Sequence, residues 1–205
     1  LAHAFYLLSK HPDVERRLFA EVDAVLGGRA ATADDVRALA LTDRVLKETM
    51  RLYPPAWTVG REVAEDVEIG GYFIPKGAQI LTSQWVVHRD PRWFPNPEGF
   101  DPDRWAPERA KEIPRFAYFP FGGGPRVCIG NHFATMEASL VLATIVQRYR
   151  IELLAGQRLE LKPAVTLRQR GSGLQVRLCE RRASDRRAQG APGVTRSGEA
   201  AAAAP

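Results

Sequence analysis

The chain is poor in cysteine and in long apolar runs, and each shortage excludes a class of protein. Among its 205 residues only Cys128 and Cys179 are cysteines, too few for the disulfide framework of a small secreted domain, and they favour a reducing compartment. No stretch is apolar over the roughly 18 residues that a membrane-spanning helix needs, and no secretory signal is visible. The sequence therefore predicts a soluble, cytoplasmic protein with a single core.

The net charge of +5 gives no sign of a nucleic-acid-binding surface. Three of these charges lie beyond residue 180, where five arginines face one aspartate and one glutamate. The rest of the chain lacks the basic stripe of a nucleic-acid-binding fold, so no nucleic-acid partner is expected. Residues 181–205 are rich in Arg, Ala, Gly and Ser, which predicts a disordered tail after a folded domain of residues 1–180.

Helical and strand patterns both occur, and together they predict an α+β fold that is mainly helical with small β-sheets. Apolar spacing predicts helices over 1–10, 12–26, 42–52 and 129 to about 148, with a short helix from Thr32 and a helical turn at 85–88. Strands are expected at 67–69, 72–74, 78–82, 150–154, 159–167 and 174–178. Residues 90–112 are rich in Pro and Trp, and this composition predicts a long loop. Such a loop is uncommon unless it is functional or tightly packed.

The run Phe121–Gly130, F-G-G-G-P-R-V-C-I-G, points to one particular chemistry. Three consecutive glycines let a ligand approach the main chain closely, and Pro125 stiffens the loop that follows them. Cys128 falls where an apolar helix is expected to begin. The free N–H groups and the dipole of a helix N-terminus favour negative charge, so this position suits a thiolate that acts as a metal ligand.

A zinc site is a poor interpretation of this cysteine, because structural zinc takes about four protein ligands. His132 lies four residues after Cys128 on the same helical face, but neither a Cys-x-x-Cys pair nor a second histidine accompanies it. A single thiolate is sufficient where a porphyrin supplies the other ligands. A glycine-rich loop around a buried structural cysteine is the plainer alternative, and the run alone leaves it open.

The same run resembles F-x-x-G-x-R-x-C-x-G, the haem-binding loop of the cytochromes P-450. The resemblance implies that Cys128 is the axial ligand of a haem iron, the ligand type of this family, and that Phe121 shields the thiolate. It implies that Arg126 pairs with a haem propionate and that Gly130 lets the helix pass close to the porphyrin. The implied cofactor is haem b, iron protoporphyrin IX.

A second motif is E-x-x-R, formed by Glu48 and Arg51 on the helix expected over 42–52. Residues three apart share a helical face and can pair, and a solvated ion pair is the ordinary interpretation. The run Phe100–Trp105, F-D-P-D-R-W, resembles the family segment whose arginine joins this pair. By that resemblance Glu48, Arg51 and Arg104 form a buried structural triad behind the cysteine loop, since an arginine fork suits bidentate pairing with a carboxylate.

The segment after the E-x-x-R helix passes the haem and the substrate pocket in this family. The pocket candidates implied here are Ala56, Trp57, Thr58 and Val59. Arg61 is implied as a second propionate partner, and Ser172, in a Gly-Ser-Gly turn, as a pocket residue on the opposite side. Each has an ordinary interpretation: a surface charge for Arg61, a strand residue for Thr58, and a hairpin turn around Ser172.

The order E-x-x-R, Phe-to-Arg segment, cysteine loop and long helix is the order of the family. The resemblance implies a haem-thiolate monooxygenase that inserts one atom of O2 into a small apolar organic substrate. Electrons would come from a ferredoxin-type or flavodoxin-type donor or a reductase. Two alternatives stay open: an isomerase or dehydratase of the same fold that needs no external electrons, and a non-catalytic haem-binding protein.

The resemblance covers roughly residues 1–180 and corresponds to the C-terminal, proximal half of the family's fold. Leu1–Ser9 resembles only the last turns of the helix that crosses the distal face of the haem, so the acid–alcohol pair that delivers protons is expected upstream. We therefore expect this fragment alone to be inactive. The composition suggests a bacterial protein, and a membrane anchor preceding Leu1 is left open.

Overall fold

The structure is a computed structural model that describes residues 1–171 and 173–181. Within these ranges the α-helices are Ala2–Lys10 (α1), Pro12–Leu26 (α2), Ala40–Leu52 (α3), Gln84–Val87 (α4), Pro107–Ala110 (α5) and Asn131–Arg148 (α6). The strands are Val59–Glu62 (β1), Val67–Ile69 (β2), Tyr72–Ile74 (β3), Gln79–Thr82 (β4), Tyr149–Leu153 (β5), Leu161–Lys162 (β6), Arg168–Gln169 (β7) and Val176–Glu180 (β8). Short 3₁₀ turns occupy Ala33–Arg37, Pro102–Trp105 and Gly124–Arg126.

The strands pair into small antiparallel sheets of two strands each, β1 with β4, β2 with β3, β5 with β8 and β6 with β7. Helices hold more of the described chain than strands do. The prediction of a mainly helical α+β fold with small β-sheets is therefore confirmed. Over the described residues, no helix combines the length and the apolar character needed to cross a membrane.

The main core lies where α1, α2, α3 and α6 meet. In α2 four buried apolar residues recur every four positions and share one face. They are Val14, Leu18, Val22 and Leu26. Pro12 occupies the first turn of α2, and Gly27 ends the helix in the left-handed conformation with φ 56°. On α3 and α6, Val45 and Leu142 bury their side chains in the same cluster.

Two differences between the predicted and the observed elements have a clear physical cause. The last long helix begins at Asn131 rather than Ile129, because Cys128–Asn131 first forms a turn in which the N–H of Asn131 donates to the carbonyl of Cys128 (3.3 Å). The strand expected over 159–167 is limited to Leu161–Lys162. Pro163 follows it, and a proline cannot donate the N–H that a longer ladder requires.

Arg181, which the sequence analysis placed in the tail, is buried. Its guanidinium donates to both carboxylate oxygens of Asp23 (3.1 and 2.5 Å) and to the carbonyl of Val146 (2.7 Å). It also lies 4.0 Å above the ring of Phe19. The rest of the expected tail, residues 182–205, and the pocket candidate Ser172 lie outside the described residues.

Candidate functional site

Glu48 and Arg51 form an ion pair on α3 with no access to solvent. Arg51 donates through Nε and Nη2 to the two carboxylate oxygens of Glu48 (2.9 and 2.8 Å), which is the bidentate arrangement. Its remaining N–H groups donate to the carbonyls of His88 (2.9 Å), Pro97 (2.6 Å) and Gly99 (2.9 Å). The guanidinium therefore holds residues 88–99 against α3.

Arg104 approaches the same carboxylate from the 3₁₀ turn Pro102–Trp105. Its Nε lies 3.4 Å from Glu48 Oε1, and its other N–H groups donate to the carbonyls of Pro95 (3.0 Å) and Asn96 (3.4 Å). Phe94 lies beneath both guanidinium groups, 5.3 Å from Arg51 and 5.8 Å from Arg104. The structure thus brings all three residues of the expected triad together.

Glu48 has two further donors that the motif did not predict. The indole N–H of Trp105 donates to Oε2 (2.9 Å), and the backbone N–H of Asp101 donates to Oε1 (3.0 Å). A buried carboxylate is costly unless its lone pairs are filled. The four donor groups around Glu48 meet this requirement, so the triad is complete within the described chain.

The cysteine loop lies directly beyond this charged cluster. Gly122 and Gly124 adopt φ values of 77° and 68°, a region that favours glycine. The N–H of Gly122 donates to the carbonyl of Phe119 (2.9 Å), and the N–H of Cys128 donates to the carbonyl of Phe121 (3.0 Å). These bonds fold the loop back on itself and present Cys128 as an exposed free thiol.

Exposed apolar side chains occur on either side of Cys128 in the sequence. Ile129 is fully exposed, and Phe133 and Val127 are exposed over 64% and 44% of their surfaces. A Cβ added at Gly130 would lie 4.0 Å from Cys128 Sγ, an ordinary contact distance. The described residues therefore leave room at Gly130, and its expected close approach to a porphyrin stays a prediction.

A cavity of about 430 Å³ joins the β1–β4 sheet to the cysteine loop. It is lined by Val59, Arg61, Thr82, Val87, Phe116, Phe119, Gly123 and Gly124. The structure thus brings the predicted propionate partner Arg61 and the pocket candidate Val59 to the glycines that precede Cys128. A neighbouring cavity of about 320 Å³ shares this glycine wall and is also lined by Val127.

The sequence analysis missed Thr82, Val87, Phe116 and Phe119 as wall residues. Thr82 faces Val59 across the β1–β4 pairing, which no sequence motif indicates. Phe116 and Phe119 carry the only signal in the sequence, since two phenylalanines shortly before a glycine-rich loop suggest an apolar wall.

The other predicted site residues lie around this cavity without a common contact. Arg126 is exposed in the loop's 3₁₀ turn, and Phe121 is half-buried and accepts the Cys128 N–H through its carbonyl. The hydroxyl of Thr58 donates to the carbonyl of Thr82 (3.2 Å). The indole of Trp57 donates to the carbonyl of Ala164 (2.8 Å), and Ala56 is half-buried beside it.

The residues at this site fit a cofactor that brings its own metal ligands. Among the described residues, no group of three or more His, Cys, Asp or Glu side chains could hold a metal ion, whereas Cys128 offers one exposed thiol. The adjoining walls are apolar, and a Cβ at Gly123 would come within 3.0 Å of the Phe116 ring, so this wall has no room for a side chain. The Arg61 cation suits an acidic substituent. A flat apolar metal complex with carboxylate groups meets all of these features.

Comparisons with known proteins agree with this chemistry. Residues 1–175 match the family model Cytochrome P450. Cyclooctatin synthase of Streptomyces melanosporofaciens is 49% identical over 82% of this chain and 36% of its own length. Cyclooctat-9-en-7-ol 5-monooxygenase of the same organism is 45% identical over 78% of this chain and 35% of its own length.

The solved haem domain of cytochrome P450DA is similar in fold, with a TM-score of 0.85 and 36% identity over 90% of this chain and 41% of that domain. The chain spans about a third of the length of the curated relatives it matches. The described helices and sheets therefore correspond to part of a larger fold. The match over residues 1–175, together with the exposed cysteine and its glycine-rich loop, shows that this chain belongs to the cytochrome P450 family, whose cofactor is haem.

Proposed function

We propose that this chain is the haem-binding, C-terminal part of a haem-thiolate monooxygenase that carries haem b. The observation that carries the proposal is the exposed thiol of Cys128, at the end of a loop whose Gly123 and Gly124 line one cavity with Arg61. An exposed thiol that follows a loop lining an apolar cavity with a cation matches the three parts of such a cofactor: its metal, its ring and its carboxylates.

When bound, haem supplies the reductive activation of O2 and the transfer of one oxygen atom to the substrate, chemistry that a cysteine ligand favours. Cys128 would hold the iron through its thiolate. Phe116, Val59 and Val87 would exclude water from the ring edge, since all three line the cavity. Arg61 and Arg126 would bind the propionates.

The substrate proposed is a small, largely apolar organic molecule, with Ala56, Thr58 and Val59 as the residues of this chain nearest to it. The similar Streptomyces enzyme whose name specifies a monooxygenase supports oxygen insertion as the reaction. Electrons would come from a ferredoxin-type or flavodoxin-type protein or a reductase. Bacterial origin and a cytoplasmic location stay predictions, and the Streptomyces relatives support the first.

The length of the relatives supports the proposal that the 205 residues do not catalyse turnover alone. About two thirds of each relative has no counterpart here, and the exposed apolar side chains around Cys128 present only one wall of a site. Oxidation of an apolar substrate by the purified 205-residue chain, supplied with an electron donor, would contradict this.

The test of the proposed function is the spectrum of the reduced carbon monoxide complex. Cys128→Ser should remove the absorption typical of thiolate-ligated haem in the haem-loaded protein. The matched control is Cys179→Ser in β8, which lies on another sheet and should leave the spectrum unchanged. A thiolate spectrum that survives in Cys128→Ser and disappears in Cys179→Ser would reverse the assignment.

A further inference from the structure

His88 is bonded to both the charged triad and the cysteine loop. It follows α4 directly, and its side chain has no solvent access. Its carbonyl accepts the hydrogen bond from Arg51 Nη1 (2.9 Å), while its ring Nε2 accepts one from the backbone N–H of Phe119 (2.9 Å). One residue therefore bonds to the guanidinium through its main chain and to the loop through its side chain.

The ring of His88 is held in place by the segment that it contacts. It lies 5.1 Å from the ring of Tyr118 and 5.2 Å, edge to face, from the ring of Phe119. Tyr118 is itself fixed, since its hydroxyl donates to the carbonyl of Lys47 on α3 (3.1 Å). The His88 ring therefore has both an oriented hydrogen bond and aromatic neighbours, and all of them come from the residues that lead into the cysteine loop.

The direction of the hydrogen bond sets the protonation state. Because the Phe119 N–H donates, Nε2 must be unprotonated and the proton of the neutral ring is on Nδ1. Burial lowers the pKa of His88 to about 4; the backbone of Met50 and of Arg51 opposes this, and the nearby cations of Arg51 and Arg89 act in the same direction as burial. At neutral pH the ring is an acceptor at this position.

A short series of backbone bonds continues from Phe119 to the cysteine. The carbonyl of Phe119 accepts from Gly122, and the carbonyl of Phe121 accepts from Cys128. The bond from His88 therefore fixes Phe119, the first residue of the segment that ends at Cys128. A change in the position of Phe119 is transmitted to Cys128 through bonds of ordinary length.

We propose that His88 is a positioning residue that sets the placement of Cys128 relative to the triad, and through it the retention and the reduction potential of the haem. The proposal rests on the proposed function, because it takes Cys128 as the haem ligand. A purely structural role is the alternative, in which the ring only fills space between α3 and the loop.

Two substitutions separate these roles. His88→Phe keeps an aromatic ring against Tyr118 but removes the acceptor, which leaves the Phe119 N–H without a partner. His88→Gln provides a carbonyl oxygen at a similar reach and restores the acceptor without the ring. His3→Phe is the matched control, since His3 also has a pKa lowered to about 4, mainly by burial, but lies on α1 against Tyr53.

The measurements are haem dissociation rate, haem reduction potential and amide exchange at Phe119, all in the haem-loaded protein. His88→Phe should raise the dissociation rate about tenfold, the size of one lost hydrogen bond, shift the potential and speed exchange of the Phe119 amide. His88→Gln should restore all three towards wild type, and His3→Phe should change none. A folded His88→Phe with unchanged dissociation rate and potential would overturn the proposal.

A wild-type measurement keeps the test independent of whether the variants fold. The ¹⁵N spectrum of the histidine rings should show His88 as the neutral tautomer protonated on Nδ1, and a proton on Nε2 would overturn the proposal. Failure of the proposed function gives a different result: the thiolate spectrum would survive in Cys128→Ser, while the Phe119 amide would still respond to His88→Phe.

Discussion

The charged triad and the cysteine loop lie next to each other, yet one is closed and the other is open. Glu48, Arg51 and Arg104 are buried, and their polar groups are bonded to residues of this chain. Cys128 is exposed, and Ile129 and Phe133 beside it expose apolar surface. The triad is thus an internal support, whereas the loop presents an exposed, partly apolar face.

The difference shows how a thiol can be both exposed and fixed in place. An exposed loop with three glycines is costly to order by itself. Here the order comes from the neighbouring buried cluster, through Arg51, His88 and Phe119. The residues proposed to touch the cofactor and the residues that give the site its shape are therefore different sets, and mutation should separate them.

The largest effect is expected from Arg51→Ala. It removes the bidentate partner of a fully buried carboxylate and leaves the carbonyls of His88, Pro97 and Gly99 without their donor. Breaking one side of a buried pair costs about 3–5 kcal/mol. Urea unfolding followed by circular dichroism should show this loss, together with poor haem retention. A well-folded Arg51→Ala protein of near wild-type stability would break the comparison, because the triad would then not be a support.

A smaller effect is expected from acid, acting where the two regions meet. The pKa of His88 is about 4 in the folded chain, below its ordinary value of 6.5, mainly because of burial. Between pH 6.5 and 4 the unfolded chain therefore binds a proton that the folded chain does not, so stability falls as pH falls. The contribution is about 3 kcal/mol.

Denaturant titrations across this pH range measure the slope, and His88→Gln should flatten it. His3, with a similarly low pKa, should leave a residual slope in that variant. An unchanged slope in His88→Gln would show that protonation of His88 does not lower the free energy of unfolding.

A third prediction compares two glycines. Gly124 in the cysteine loop and Gly156 in a remote turn have similar positive φ values, 68° and 78°, and neither has an atom within 4 Å of an added Cβ. Alanine at either position should cost a similar 1–2 kcal/mol, roughly, in backbone strain. Only Gly124→Ala should also lower haem affinity, measured by titration with haem. Equal affinities in the two variants would mean that the loop conformation does not matter to the cofactor.

The smallest effect is expected from Arg17→Ala. Arg17 forms a bidentate pair with Asp103, next in sequence to Arg104, but both side chains are nearly half exposed. Pairs of this kind contribute about 0–1 kcal/mol. Thermal unfolding should place Arg17→Ala close to wild type and far from Arg51→Ala. A loss comparable to that of Arg51→Ala would show that exposure does not distinguish the two pairs.

Motifs with short internal spacing could be predicted from the residues themselves. The contact of Arg104 with Glu48, across 56 residues, was predicted only through the family resemblance, and other contacts across space were not predicted. The pair Glu48–Arg51 and the run around Cys128 each lie within a few residues of sequence. Both could therefore be predicted from the local pattern and the family resemblance. Trp105 as a donor to Glu48, and His88 as an acceptor for Phe119, depend on contacts over 57 and 31 residues of separation. No local pattern contains that information.

The same reasoning accounts for the differences between the predicted and the observed ends of the tail and of α6. Arg181 was assigned to the tail by composition, but its partner Asp23 lies 158 residues away. The apolar residues of α6 occur all round the helix, so their spacing did not identify which face is buried; Phe133, counted in that pattern, is exposed. Helical periodicity also continued through Ile129, although the backbone there forms a turn.

The separation in sequence between the triad's partners bears on the order in which the chain folds. Arg51 bonds to carbonyls 46 and 48 residues further along the chain, and Glu48 to Arg104, 56 residues away. The contacts enclose both the β1–β4 and the β2–β3 sheets in one loop of chain. Closing a loop of that length costs about 3–4 kcal/mol in entropy, so these contacts should form after the local helices and hairpins. The thiol loop would then acquire its shape late, when most of the chain has already condensed.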